Sequence, residues 1–448
     1  MSSKQVKIGS KDVAIGMFVS ALDRPWKQTP FPIHGFYVRE LTELKLLNTH
    51  CDYVYIDIQK GIAPDDGLLQ QKSLGGYKKP VKFHVASLAP IKVNSAVYMD
   101  VQPMAAELLT AENVYSQLLS DVDLVMNQAV NQSLKSVQGI KKTALLFVET
   151  VINNPDASLW LIRTDSSKQY PFHYLIRSAM WSLLLGRHFG LPKGELGMLV
   201  LGVLLKDVGL AQLNKPALGR SEVQAVDIEQ SVLLLKNLSG IPPKVIHVVK
   251  TYLERVNGVG IPAGLQGDDI PLLGKLAGIA CFYESVIHPF GEAYALSPSK
   301  AVSKLYELRG TAFQDDVVGE FIQAIGLYAT GTVVKLSTGE VGIVTEQHLQ
   351  RRLKPNVLLL LNSNGERMKK MAVIDLFEDE SRKKKRFDTE KKHTASTEKI
   401  DIVQDLSIQD LVIENISLTP DDIKVMIESA RKGLAKQLNK KSIFSFWS

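Results

Sequence analysis

Apolar residues recur at helical spacing through the middle of the chain. Leu108, Leu109, Leu118, Leu119, Val122 and Val125 follow the repeat of an α-helix, and the pattern resumes at Leu145, Leu146, Val148 and Val151. Such spacing predicts amphipathic helices from about Pro103 onward. Helical patterns then continue to about Tyr328, punctuated at Pro171, Gly190-Leu191-Pro192, Gly240-Ile241-Pro242-Pro243 and Pro289 to Gly291. Ser221, with Gln224 three positions later, predicts a capping box opening a helix that runs through Leu235. Residues 101–330 are therefore expected to form one helical domain.

The pattern changes on both sides of it. Residues 1–60 carry short runs of Val, Ile, Tyr and Phe, such as Met17-Phe18-Val19 and Tyr53-Val54-Tyr55-Ile56, broken by Pro25, Pro30, Pro32 and Gly35. They read as a small β-rich domain. Residues 61–100 read as a linker, because Gly61 to Phe83 is rich in Gly, Lys, Gln and Pro without periodicity. From Gly331 short strands return: Thr332 to Leu336, a Thr338-Gly339 turn, Val341 to Val344, then Val357 to Leu361 and an Asn364-Gly365 turn. Residues 331–378 are thus a β-strand appendage. Residues 379–448 are a basic linker and tail, with the run Arg382-Lys383-Lys384-Lys385-Arg386, apolar spacing at Ile423, Met426 and Ile427, and Phe444, Phe446 and Trp447 near the end. The fold class expected is mainly α, a helical domain with a small β-rich N-terminal domain and a short C-terminal β-appendage.

Composition narrows the function classes. With 448 residues, 45% apolar and 22% charged, the chain can bury a sizeable core. The longest apolar run, Leu196 to Leu205, is far shorter than the roughly 18 to 20 residues that span a bilayer. Met1 to Ser10 has no hydrophobic signal core, so a membrane span is not expected and the protein reads as cytoplasmic. Cys51 and Cys281 cannot build a disulfide framework or a CxxC metal knuckle. The net charge of +6 arises from 53 basic against 47 acidic residues, a mild excess that does not imply nucleic acid as a partner.

Three landmarks carry chemistry: His173-Tyr174-Leu175-Ile176-Arg177, Gly202-Val203-Leu204-Leu205-Lys206-Asp207-Val208-Gly209-Leu210, and Glu254-Arg255-Val256-Asn257-Gly258-Val259-Gly260-Ile261-Pro262. Their order and spacing resemble the HD-GYP family of bacterial cyclic-di-GMP phosphodiesterases, whose patterns read H-x-x-R, LLHDIGK, HPxxG, HHExxDGxGYP and ADxYDA. The resemblance continues through Arg309-Gly310-Thr311-Ala312-Phe313, where the family has GTQFDP, and into the strands at Gly331 to Val344. Val19, Leu22, Asp23, Pro25-Trp26, Pro30-Phe31 and Gly35-Phe36 look like the small domain that precedes such units.

The resemblance implies that the helical domain is HD-type and that its site holds two or three first-row metals, usually iron or manganese, which lower the pKa of a bridging water. It places His173 at the first histidine, Asp207 at the aspartate of the HD pair and Asp227 at the next histidine. Several positions depart from the pattern. Lys206 replaces the histidine of the HD pair, Leu210 replaces the lysine after it, Tyr252 and Leu253 replace the paired histidines, and Cys281 replaces the last aspartate. A lysine at pH 7 offers three donors and no acceptor, so it repels a divalent cation.

The remnant ligands are then His173, Asp207 and Asp227, with Asp207 the catalytic remnant and no cofactor expected. Lys206 supplies the positive charge that metals supplied, paired with Asp207 or Asp227. Arg177 is a binding candidate for a phosphate, and a salt bridge is its other reading. Glu254 and Arg255 shape the GYP-like loop, where Gly258 and Gly260 serve turns with positive φ. His188, His247 and His288 fall outside the family's positions and read as ordinary residues. The resulting reading is a degenerate member of cyclic-di-GMP signalling, acting on signalling proteins through the GYP-like loop or the N-terminal domain, with or without binding of cyclic-di-GMP; the rival is an active phosphodiesterase using iron or manganese on a reduced ligand set.

Overall fold

In the computed structural model the described residues are 5–24, 29, 35–38, 41–58, 88, 91–164, 171–213, 223–290, 295–348, 354–368, 372–377 and 400–406. Strands β1 (Gln5–Gly9), β2 (Phe18–Leu22), β3 (Phe36–Tyr37) and β4 (Tyr53–Asp57) form an antiparallel sheet in the order β1-β4-β2-β3. Alternation along β4 sends Val54 and Ile56 into one small core, where Val19 and Leu22 join them across a bulge in β2, together with Phe36 of β3. That core is closed by α1 (Leu41–His50), a helix the β-rich reading did not foresee, through buried Leu47. Gly35 sits at φ 90°, and a Cβ there would lie 2.7 Å from the Val19 carbonyl oxygen, so only glycine fits that approach of β3 to β2.

The helical domain runs through α2 (Met104–Val130), α3 (Gln138–Asn153), α4 (Pro155–Thr164), α5 (His173–His188), α6 (Lys193–Leu205), α7 (Val208–Gln212), α8 (Ala225–Lys236), α9 (Pro243–Thr251), α10 (Leu272–Ile287), α11 (Pro298–Glu307) and α12 (Asp315–Ile325). α6 is apolar on every side, with Leu199, Val200, Val203, Leu204 and Leu205 all buried, and such a helix has to lie at the centre. It packs against α5, α3 and α9, and α10 packs against α5 and α9. Leu118, Leu119, Val122 and Val125 are buried as the helical repeat predicts, but Leu109, Leu145 and Leu146 are exposed.

Two boundaries differ from expectation. Residues 91–100, taken as linker, are docked: the Ile91 amide donates to Asp316 at 2.7 Å and the Tyr98 hydroxyl donates to the Leu191 carbonyl at 2.8 Å. The capping box also stands one turn later than expected. Gln224 is the N-cap and Asp227 the N3 residue of α8, and Ser221 lies outside the described residues.

The C-terminal sheet has the order β8-β7-β6-β5-β9 with every pair antiparallel: β5 (Val333–Leu336), β6 (Val341–Glu346), β7 (Asn356–Leu361), β8 (Val373–Asp375) and β9 (Ile402–Leu406). β9 belongs to the segment read as tail. It is held because Ile402 and Leu406 are buried and Asp405 accepts from the Ser299 amide at 2.7 Å at the start of α11. One face of the sheet covers Trp160, Met104 and Leu108 of the helical domain. The Gly61 to Phe83 linker, the basic run at 382–392 and the apolar positions from Ile423 to Trp447 lie outside the described residues.

Candidate functional site

The site lies where α6 ends. Its last turn gives way at Lys206, Asp207 takes the N-cap of α7, and Gly209 lets α7 press onto α8, since a Cβ there would overlap Ser231. The Gly209 amide donates to Ser231 Oγ at 3.0 Å. The break turns both Lys206 and Asp207 inward, to 7% and 5% exposure. They form an ion pair between Nζ and Oδ2. The Tyr174 hydroxyl donates to Asp207 Oδ2 at 2.8 Å, and the Tyr252 hydroxyl donates to Oδ1 at 3.2 Å. The same two rings flank the ammonium, with Nζ 5.0 Å from the Tyr174 centroid and 4.9 Å from that of Tyr252. Burial, and then the neighbouring Asp207 charge, hold the Tyr174 proton far above its usual range, so this phenol is a fixed donor.

Around this group is an open cleft of about 490 Å³ lined by Ser178, Leu210, Val223, Cys281, Ser285 and Phe290 among others. The face of α10 repeating at Cys281, Glu284, Ser285 and His288 supplies one wall. Buried Glu284 accepts from Trp181 Nε1 at 3.0 Å, pairs with Arg177 and lies 3.0 Å from His288 Nδ1. Burial pushes its carboxyl up, but the Arg177 charge, then His288, outweigh that and bring it down to about 2. Arg177 is thus engaged in a salt bridge, the second of its two readings.

The expected metal ligands are distributed differently. His173 opens α5 and its ring nitrogen bonds the Tyr115 hydroxyl, against whose ring it stacks. Asp227 accepts from the Gln224 amide at 3.0 Å in the α8 capping box. Asp207 alone of the three lines the cleft, and among the described residues no group of three or more His, Cys, Asp and Glu is placed to hold a metal ion. The donors gathered at Asp207 are an ammonium and two neutral phenols, and Leu253 is apolar. This chemistry does not fit the iron or manganese that the resemblance implies.

Sequence reasoning missed Tyr174, Glu284 and His288. The signal for Tyr174 was present: H-x-x-R counted back from Arg177 arrives at Tyr174, whereas His173 is one residue further. In the GYP-like loop Glu254 accepts from the Ala263 and Leu265 amides at 2.8 and 3.0 Å, as a loop-shaping residue should. Gly258 has a φ of 79°, but Gly260 does not have positive φ. Gly260 is needed instead because a Cβ would overlap the backbone of Glu254 and Arg255.

Comparison with known proteins agrees with this architecture. A domain of unknown function, DUF3391, matches residues 5–139, an HD domain matches 178–317, and a KOW domain associated with HD domains matches 333–396. The chain thus carries an HD domain, preceded by a DUF3391 domain and followed by a KOW domain of the HD-associated kind. A cyclic di-GMP phosphodiesterase of Pseudomonas aeruginosa is 24% identical over 83% of this chain and 88% of its own. A second cyclic di-GMP phosphodiesterase, from Vibrio cholerae, is 36% identical over 17% of this chain and 15% of its own. Among solved structures, an HDG"Y"P protein from Bdellovibrio bacteriovorus aligns over 71% of this chain and 98% of its own, with a TM-score of 0.39 and 15% identity. No helix among the described residues is long and apolar enough to cross a membrane.

Proposed function

We propose that this chain is a cytoplasmic regulatory protein of cyclic-di-GMP signalling whose HD domain has lost metal-dependent hydrolysis. The observation that carries the reading is the Lys206 ammonium paired with Asp207 at the HD position, between the rings of Tyr174 and Tyr252. A divalent cation brought there would meet a fixed positive charge and the hydrogens of two phenols. Asp207 is then the remnant of a ligand set, while His173 and Asp227, expected beside it, are engaged elsewhere by Tyr115 and the α8 capping box. Function passes to contacts with signalling proteins, for which Val259, 74% exposed at the tip of the GYP-like loop, is an available position.

The rival reading is an active phosphodiesterase, favoured by the name of the Pseudomonas relative, which aligns over 83% of this chain. Metal content of the purified protein by mass spectrometry, with a cyclic-di-GMP turnover assay in added manganese or ferrous iron, separates the two. We expect metal well below stoichiometry and no turnover. Near-stoichiometric metal, with turnover abolished in Asp207→Ala, overturns the reading. Calorimetric titration with cyclic-di-GMP separates a receptor from a protein that works by contacts alone.

A further inference from the structure

We propose that Lys206 fills a cage for a primary ammonium ion, formed by Asp207, Tyr174 and Tyr252, so that the protein carries its own covalently tethered cation where the metal centre of the fold would stand. The inference rests on the reading just given and specifies the chemistry of that same site.

The geometry is that of a cation receptor. Two aromatic faces stand 5.0 and 4.9 Å from Nζ, within the roughly 6 Å over which a ring attracts a cation. A carboxylate bonds Nζ directly, and both phenol hydroxyls point their hydrogens at that carboxylate, on Oδ2 and Oδ1. The hydroxyls therefore satisfy the anion while the ring faces address the cation. Tyr174, Tyr252, Lys206 and Asp207 are 9%, 3%, 7% and 5% exposed, so water competes little for either charge. The other charged or titratable groups lining the cleft are Glu284, His288 and Cys281. Glu284 is engaged by Arg177, Trp181 and His288, which leaves Asp207 as the carboxylate that balances the ammonium.

Such a cage does not require the tether. Lys206→Ala removes three carbons and the nitrogen, the atoms of n-propylammonium, and leaves Asp207 buried without its cation. The test is thermal melting of Lys206→Ala with n-propylammonium, with 1-propanol as an uncharged molecule of the same size, and with tetramethylammonium as a cation without N–H donors. Lys206→Met is the control, because its thioether refills the space without a charge.

We expect Lys206→Ala to melt below wild type and n-propylammonium to raise its midpoint by about 2 °C or more, the shift produced by a ligand at several times its Kd in a domain of this size. Wild type and Lys206→Met should not respond. If Lys206→Ala does not fold unaided, refolding yield with n-propylammonium against 1-propanol is the readout. Equal effects of alcohol and amine, equal rescue by tetramethylammonium, or no rescue at all would overturn the cage. Stoichiometric transition metal in wild type would instead overturn the functional reading beneath it, so the two failures are distinguishable.

Discussion

Glu284 offers the sharpest quantitative test of how the cleft is held together. Its side chain is 3% exposed, yet its carboxyl is brought from an ordinary 4.5 to about 2 by Arg177 and His288 against the cost of burial. A carboxyl whose folded pKa is depressed stabilises the fold above its unfolded pKa, and that stability is lost as pH falls through the folded value. Titrating near 4.5 unfolded and about 2 folded, Glu284 contributes about 3 kcal/mol at pH 7, of which about 2 kcal/mol is gone by pH 3. Glu284→Gln removes the anion and leaves the Arg177 guanidinium, 18% exposed, without its partner, a loss of about 3 to 5 kcal/mol for a buried pair. Urea unfolding of both proteins should show that gap at pH 7, narrowing by about 2 kcal/mol at pH 3. A gap below about 1 kcal/mol at pH 7, or one of the same size at both pH values, would refute the assignment of Arg177 and Glu284 as a strongly coupled pair.

Other sites give independent tests. Gly260→Ala drives a methyl into the backbone of Glu254 and Arg255 and should cost about 1 to 3 kcal/mol by urea melts; an unchanged midpoint contradicts the packing of this loop. Asp405→Ala removes the acceptor for the Ser299 amide and hydroxyl, a cap supplied to α11 from β9. It should cost about 1 kcal/mol and speed amide exchange in residues 402–406, and unaltered exchange there would show that β9 is held by other contacts. The Cys51 thiol, pushed up to about 11 chiefly by burial, should react with a disulfide reagent at pH 8 only as the protein unfolds. Rapid labelling of native protein at Cys51 would contradict its place in the N-terminal core.

Much of the architecture was legible because it follows from periodicity. Repeats such as Leu118, Leu119, Val122 and Val125 require a helix whose face is covered, and the short apolar run Val341 to Val344 after the Thr338-Gly339 turn marks a hairpin. Less legible were features that depend on what another segment offers. β9 reads as tail until β5 presents an open edge, and residues 91–100 look like linker until Asp316 accepts the Ile91 amide. Leu109 and Leu145 fit a helical stripe, but only packing decides which edge of that stripe is buried.

The chain's order of residues determined that a helical domain lies between two small β-sheets, and that Lys206 and Leu253 bring no imidazole. Those are properties of residue type and spacing. Only the tertiary structure decided that Asp207, rather than Asp227, receives the Lys206 charge, and that Arg177 is drawn to Glu284. The physical reason is directional. A one-residue step along α5 turns a side chain by about 100°, so neighbours in sequence meet different partners, and a buried charge settles on whichever counter-charge the packing brings within bonding distance.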